Sequence, residues 1–259
     1  MNKIYLLVIF ILLLTNCTIP KQKITNNQTN KNYTVKIDSL IFFDNSRNRN
    51  VPVAFYIPNS VKKIKNQQVI IFSHGYYQNQ ASSNLKYSYL TKFLASKGYF
   101  VASIQHELPA DNLIPLTGVP QITRRPFWER GADNILFVIN ELKKTNPELD
   151  FKQIILIGHS NGADMTALFP QKYPNIAYKI ITLDNRRMPL PRNNQPKVYS
   201  LRSSDQPADE GVLPTDEELR KYGITIIKLP NTIHNNMDNR GSESEHKEII
   251  NYVLTFTSD

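Results

Sequence analysis

The chain has 259 residues, of which 41% are hydrophobic and 20% are charged, and its formal net charge is +9 at pH 7. This length suffices for one large domain with a sizeable core, and the composition is that of an ordinary globular protein. The basic residues are spread along the chain without a long Lys/Arg run, and no nucleic-acid-binding motif is present. We therefore expect no nucleic-acid partner, and at most a mild attraction to anionic surfaces or substrates.

Residues 1–16 are predicted to be a signal peptide. Lys3 provides a positive start, and the apolar run 4–14 is too short to span a bilayer. The stretch from Leu14 to Cys17 resembles a bacterial lipoprotein signal, and Cys17 is the only cysteine. We expect export across the inner membrane and a periplasmic protein anchored to a membrane by lipid on Cys17. Since Asn16 replaces the usual small residue, another cleaved signal or an uncleaved anchor is the alternative.

Residues 17–32 are polar and lack periodicity, which predicts a flexible tether before a folded domain at 33–259. The domain opens with two predicted strands, 34–43 and 51–57, joined by a polar connector that favours an antiparallel hairpin.

Predicted strands and helices alternate after this hairpin. The further strands are 67–72, 99–104, 151–157, 178–183, 197–201 and 224–229, and the helices are 84–97, 129–144, 163–172, 216–222 and 245–256. This order predicts an α/β fold with a mostly parallel eight-stranded sheet and helices on both faces. The irregular segment 107–128 is long and is expected to cover a site.

The motif Gly158-His159-Ser160-Asn161-Gly162 fits G-x-S-x-G and stands between a buried strand and a helix. A serine on such a tight turn projects its hydroxyl from the end of the sheet, where ligands bind in folds of this type. Ser160 is therefore the candidate nucleophile. The backbone N–H of Asn161 would face the group that the hydroxyl attacks.

Serine needs a positioned base, and His234 follows the last predicted strand. The imidazole in turn needs a carboxylate, for which position along the chain favours Asp205 over Asp184 and Asp209. From the residues alone, all three aspartates remain candidates for this carboxylate. The second oxyanion donor is expected from the turn after the third strand, at the N–H of Tyr76.

This sequence resembles the α/β-hydrolase family, on the chain order Ser160, Asp205, His234 and on the elbow motif. The stretches 71–75, 87–90, 98–101 and 130–135 are similar to the branch of dienelactone hydrolase, platelet-activating-factor acetylhydrolase and chlorophyllase. The resemblance implies an α/β-hydrolase fold, here without a large cap domain because only residues 185–196 separate two strands. It also implies a serine hydrolase that cleaves small-molecule carboxylic esters through an acyl-enzyme. A serine peptidase and a non-catalytic binding protein are the alternatives.

Several arginines lie near the predicted site in sequence: Arg124, Arg125, Arg130, Arg186, Arg187, Arg192 and Arg202. Arg186 and Arg187 are the candidates for binding an anionic substrate, and surface ion pairs are the competing interpretation. The sequence contains no metal-ligand spacing and no nucleotide-binding motif, so no metal or cofactor is expected. It suggests no protein partner.

The lipid anchor can be tested by fractionation. We expect Cys17→Ser to move the protein from the membrane fraction to the soluble fraction, because the substituted chain has no thiol to acylate. Immunoblots of both fractions measure this shift. An unchanged distribution would contradict lipidation.

Overall fold

The computed structural model describes residues 32–259, so the predicted signal peptide, Cys17 and nearly all of the tether lie outside the described residues. The strands are β1 (Thr34–Asp44), β2 (Arg49–Asn59), β3 (Gln68–Ser73), β4 (Phe100–Ile104), β5 (Asp150–His159), β6 (Lys179–Leu183), β7 (Lys197–Arg202) and β8 (Thr225–Lys228). The helices are α1 (Ser88–Ser96), α2 (Pro120–Thr123), α3 (Arg125–Thr145), α4 (Asn161–Lys172), α5 (Asp216–Tyr222) and α6 (Glu243–Ser258). Two short 3-10 helices cover Ser83–Leu85 and His234–Asn236.

All eight strands form one sheet in the order β1-β2-β4-β3-β5-β6-β7-β8. β2 is antiparallel to both β1 and β4, and the six strands β4, β3, β5, β6, β7 and β8 run parallel to one another. The mostly parallel eight-stranded sheet with an antiparallel start is therefore confirmed. The parallel arrangement brings the carboxyl ends of β3 to β8 to one edge of the sheet.

Strands β3, β4, β6 and β7 are buried on both faces, which is why they read as continuous apolar runs, whereas most residues of β1 are exposed. On β3, Ile71 packs into a core that includes residues of α3 and α4, whereas Ile70 and Phe72 face a core that includes residues of α1 and α6. Neighbouring residues point to opposite faces of a strand, so a run of apolar side chains supplies both cores at once.

Two helices begin four residues away from their predicted first residues. The helix expected from residue 84 begins at Ser88, after a separate 3-10 turn. The helix expected from residue 129 begins at Arg125. Pro126 is compatible with this earlier start, because N–H groups in the first turn of a helix have no partner within the helix and proline has no N–H. The irregular segment is consequently shorter than predicted, and the short helix α2 lies within it.

The described chain adds no helix between β6 and β7, where residues 184–196 form a loop. Over residues 32–259, no helix is both long enough and apolar enough to cross a membrane.

Candidate active site

Ser160 lies at the sharp turn between β5 and α4. Its backbone has φ 53° and ψ −119°, a left-handed conformation that costs a non-glycine residue of order 1–3 kcal/mol. The turn is held by two backbone hydrogen bonds, from Ser160 N–H to Leu183 O at 2.9 Å and from Asp164 N–H to Ser160 O at 3.0 Å. These two hydrogen bonds stabilise the strained backbone conformation of Ser160, and this conformation directs the hydroxyl away from the sheet.

The two glycines of the motif are required by close packing. A Cβ at Gly158 would lie 2.3 Å from the carbonyl oxygen of Gly162. A Cβ at Gly162 would lie 2.3 Å from Ser73 O and 2.4 Å from His74 O. The missing side chains let the first turn of α4 approach the end of β3, which places the nucleophile beside the loop that follows β3.

His234 is placed to act as the base. Its Nε2 lies 2.9 Å from Ser160 Oγ, and its Nδ1 lies 2.5 Å from Asp184 Oδ2. A carboxylate accepts only, so Nδ1 carries the proton and the lone pair of Nε2 faces the hydroxyl. Ser160, His234 and Asp184 therefore form a continuous hydrogen-bonded chain of the kind that activates serine nucleophiles.

Asp184 is fully buried, and three hydrogen-bond partners and one guanidinium surround its two oxygens. Ser203 donates its N–H to Oδ1 at 3.0 Å and its hydroxyl to Oδ2 at 2.8 Å, and the Arg202 guanidinium lies 2.9 Å from Oδ1. Burial would raise the pKa of Asp184, but the hydrogen bond with His234 and the charge of Arg202 hold it below its ordinary value. The carboxylate is therefore ionised beside the imidazole.

The favoured acid of the sequence analysis, Asp205, does not contact the imidazole. Its Oδ1 accepts the backbone N–H of His234 at 2.7 Å, which holds the loop rather than the ring. Asp209 pairs with Arg187 at 3.2 Å, and among residues 32–259 no hydrogen bond or ion pair joins its carboxylate to His234. The carboxylate that contacts the imidazole is therefore Asp184, which the sequence ranked second. Leu183 and Leu201 are register partners on parallel strands, so the loops after β6 and β7 both start at the edge where His234 lies.

The predicted oxyanion loop lies against the nucleophile. A Cβ at Gly75 would lie 3.4 Å from Ser160 Cβ and 2.9 Å from the Tyr87 hydroxyl, so the backbone approaches closely only with glycine. Tyr76 follows directly, and its hydroxyl accepts the Ile114 N–H at 3.1 Å. The structure therefore brings the Gly75 backbone next to Ser160 and the Tyr76 side chain into contact with the segment after β4.

The side chain of Asn161 is fixed from two sides. Its Oδ1 accepts the Trp128 indole N–H at 2.8 Å, and its Nδ2 donates to Glu107 Oε1 at 2.9 Å. Asn161, Trp128 and Glu107 are all buried. The sequence did not predict these two hydrogen bonds, since α3 and the segment after β4 are distant from the elbow along the chain.

Asp164 is a second feature that the sequence did not single out. This buried carboxylate stands four residues after the nucleophile on α4. It accepts the backbone N–H groups of Arg186, Arg187 and Met188 at 3.1, 2.9 and 2.9 Å. It thereby fixes the loop that begins at Asp184 to the helix that begins after Ser160.

Most of the arginines near the site have an acidic partner. The ion pairs are Arg125–Glu129, Arg130–Asp111, Arg187–Asp209, Arg192–Glu218 and Arg202–Asp184. Within residues 32–259, Arg124 and Arg186 form no ion pair with a carboxylate. Arg124 instead donates to Pro115 O at 3.0 Å, and Arg186 contacts Gln206 and donates to Pro207 O at 3.3 Å.

Comparisons with known proteins identify the fold. No protein-family model matches the chain, and no curated protein matches it by sequence. Among solved structures, a bacterial heroin esterase superposes with a TM-score of 0.63 at 13% identity, covering 87% of this chain and 84% of that chain. The dienelactone hydrolase-like promiscuous phosphotriesterase P91 gives 0.60 at 14% identity, covering 86% of this chain and 98% of that chain. An acylaminoacyl peptidase gives 0.60 at 14% identity, with 87% of this chain matched to 42% of that chain. The protein has the α/β-hydrolase fold.

The identity of the acid gives a test of the site. Asp184→Asn should lower kcat by about 10⁴-fold, since the amide can stabilise the wrong imidazole tautomer. Asp205→Asn keeps an oxygen for the His234 N–H and should lower kcat by less than about tenfold. Steady-state turnover of a 4-nitrophenyl ester measures both, with circular dichroism to verify folding. The reverse order of losses would reinstate Asp205.

Proposed function

We propose that the protein is a serine hydrolase that cleaves carboxylic esters through an acyl-enzyme on Ser160. The observation that carries this proposal is the chain Ser160 Oγ–His234 Nε2 at 2.9 Å and His234 Nδ1–Asp184 Oδ2 at 2.5 Å. A neutral serine becomes a nucleophile when such a base removes its proton. The esterase folds found among the solved structures are consistent with this chemistry.

In the first half-reaction, Ser160 Oγ attacks the ester carbonyl carbon while its proton passes to His234 Nε2. The carbonyl π electrons move to oxygen, and we assign the stabilisation of this oxyanion to the backbone N–H groups of Asn161 and Tyr76. Collapse of the intermediate expels the alkoxide, which takes the proton from Nε2 and leaves as the alcohol. The acyl group is then bonded to Ser160.

The second half-reaction repeats the steps with water. His234 removes a proton from water, the hydroxide attacks the acyl carbon, and Ser160 leaves with that proton to restore the free enzyme. The products are a carboxylic acid and the regenerated hydroxyl. Asp184 stays ionised throughout and stabilises the imidazolium that forms twice in each cycle.

The buried acid is suited to this task because its charge is compensated before catalysis starts. In the free enzyme, Arg202 balances the charge of Asp184, and the backbone N–H and hydroxyl of Ser203 donate hydrogen bonds to it. The buried carboxylate therefore stays ionised and does not take up a proton. The imidazolium then forms beside a carboxylate whose orientation is already fixed.

A serine peptidase on the same fold would use the same residues. We place esters first because an alkoxide leaves more readily than an amide nitrogen, so the described groups suffice without a dedicated peptide pocket. A non-catalytic binding protein would have no need of an aligned serine, imidazole and carboxylate. Export and anchoring through Cys17 complete the proposal, and they rest on residues 1–17 of the sequence.

The nucleophile can be identified by covalent labelling. A fluorophosphonate probe should label the wild type and should fail to label Ser160→Ala, because the probe phosphorylates an activated serine. Ser39→Ala, which alters an exposed serine on β1, is the matched control and should label normally. Ester, thioester and peptide substrates assayed in parallel separate the esterase from the peptidase. Labelling that persists in Ser160→Ala would refute the assignment.

Arg186 and Arg124 support a preference for esters whose acyl or alcohol part carries an anion. The Arg186 guanidinium contacts Gln206. The neighbouring Asp205 accepts the backbone N–H of His234, so Arg186 lies at the rim of the proposed site. Burial and the nearby charges of Arg187 and Arg186 lower the pKa of Arg124, whereas Asp164 and Asp209 act in the opposite direction. Arg187 contributes less, because Asp209 already neutralises it.

The preference predicts a change in selectivity. Arg186→Gln should lower kcat/KM for a 4-nitrophenyl ester of a dicarboxylic acid about fivefold, while the neutral 4-nitrophenyl butyrate changes little. Arg192→Gln removes an arginine that is paired with Glu218 and serves as the control. Equal losses for both esters in Arg186→Gln would contradict anion binding at this residue.

A further inference from the structure

Glu107 connects to both segments that supply the proposed oxyanion donors. Its Oε1 accepts from the side chain of Asn161 at 2.9 Å. Its Oε2 lies 3.7 Å from Nε2 of His74, the residue that precedes the Gly75–Tyr76 turn. Glu107 is only 1% exposed, so this carboxyl group has little access to solvent. A buried carboxyl thus lies directly behind the oxyanion hole.

The two oxygens of Glu107 have unequal surroundings. Oε1 has the Asn161 amide as donor, whereas Oε2 has no hydrogen-bond partner among the described residues. A carboxylate at this position would leave one charged oxygen buried without a donor, which is costly in a protein interior. A protonated carboxyl places its O–H on Oε2 and keeps Oε1 as the acceptor for Asn161.

His74 cannot supply the missing donor. Its Nδ1 lies 2.6 Å from Gly75 O and must carry the proton, since a carbonyl oxygen only accepts. Its Nε2 accepts the backbone N–H of His106 at 3.1 Å, so that nitrogen has no proton to offer Glu107. Burial lowers the pKa of His74 to about 4, which keeps the ring neutral at physiological pH.

The charged and titratable groups around Glu107 come from several elements. His74 faces it from the end of β3, and His106, whose buried ring also has a depressed pKa, adjoins it on the same loop. Arg130 on α3, Arg49 on β2 and Asp111 on the following loop act on it from further away. Asp111 accepts a bidentate pair from Arg49 and lies 3.5 Å from Arg130, so it offsets one of the two positive charges. The arginines lower the pKa of Glu107, but desolvation by burial has the larger effect and raises it.

We propose that Glu107 is a positioning residue for the oxyanion hole, acting through the Asn161 side chain, and that it acts in its protonated form. This role rests on the proposed function. The neutral carboxyl holds the amide of Asn161 without adding charge, while the Trp128 indole fixes the other side of that amide. Together they set the backbone of the residue whose N–H faces the reacting carbonyl.

Ionisation of Glu107 works against the reaction for an electrostatic reason. The oxyanion develops beside Asn161, so a carboxylate hydrogen-bonded to Asn161 repels the charge that forms in the transition state. Desolvation by burial raises the pKa of Glu107 to about 7, which places its ionisation within the working range of a hydrolase. Turnover should accordingly decline above neutral pH, where a serine, histidine and aspartate triad by itself reaches a plateau.

The test compares the pH dependence of kcat in wild type, Glu107→Gln and Glu107→Ala with a neutral 4-nitrophenyl ester from pH 5.5 to 9. Wild type should lose about tenfold in kcat between pH 6.5 and 9. Glu107→Gln imitates the protonated acid, so it should stay within about threefold of wild type at pH 6.5 and lack the decline. Glu107→Ala should lose about 100-fold in kcat with a small change in KM, since Asn161 loses its partner.

Glu129→Gln is the matched control, because it removes a half-exposed glutamate next to Trp128 on α3 and should leave the profile unchanged. A decline that persists in Glu107→Gln, or a wild-type profile without a decline, would overturn the proposal. If wild type neither turns over esters nor reacts with the fluorophosphonate, the proposed function fails, and this role fails with it. If wild type hydrolyses esters but its pH profile differs from the one expected, the proposed function stands and only the role of Glu107 fails.

Thermal stability supplies a readout that does not depend on turnover. The raised pKa means that the folded protein holds a proton on Glu107 that the unfolded chain releases, so stability falls as the pH rises from about 4.5 to 7. Glu107→Gln lacks this loss. Its melting temperature relative to wild type should therefore increase by about 3 °C or more between pH 5 and 8. A constant difference over that range would show that Glu107 is ionised throughout and would overturn the proposal.

Discussion

The close contact between the first turn of α4 and the end of β3 determines where the reacting groups can lie. Gly162 has no side chain, and its backbone meets the carbonyl oxygens of Ser73 and His74 where a Cβ would stand 2.3 and 2.4 Å from them. This contact sets the height of Ser160 above the sheet and the distance to the turn at Gly75. A small displacement of α4 would therefore move the nucleophile and one oxyanion donor relative to the other, and catalysis is sensitive to such shifts.

A buried carboxylate beside the imidazole requires compensation, and the structure provides it locally. Arg202 at the end of β7 and Ser203 after it surround Asp184, which follows the neighbouring strand. Breaking a buried ion pair is far more costly than its net contribution to stability suggests, because one charge is left without a partner. The residues at the end of β7 therefore serve the acid at the end of β6, although they supply no reacting group themselves.

Much of the fold could be predicted from the sequence because its signals are local. Strands buried on both faces read as apolar runs, and the two glycines around Ser160 indicate the tight turn between strand and helix. The choice between Asp184 and Asp205 could not be predicted in the same way. Both follow parallel strands that end at one edge, and the decision depends on how each loop turns after the strand. Asp184 has a positive φ of 59°, a property of the loop that no spacing in the sequence reveals.

The same reasoning explains why Glu107 and Asn161 stay hidden in the sequence. A glutamate after β4 and an asparagine in the elbow are each unremarkable, and only the packing of α3 through Trp128 brings them into one cluster. Once they are together, burial changes their chemistry, since a carboxyl without a donor for its second oxygen favours the proton. Asp184 and the proposed protonated acid at Glu107 differ in their closest side-chain partners: a guanidinium, an imidazole and a serine in one case, and a side-chain amide in the other. Two buried carboxyl groups near one nucleophile can thus hold different protonation states at the same pH, one suited to an imidazolium and the other to an oxyanion.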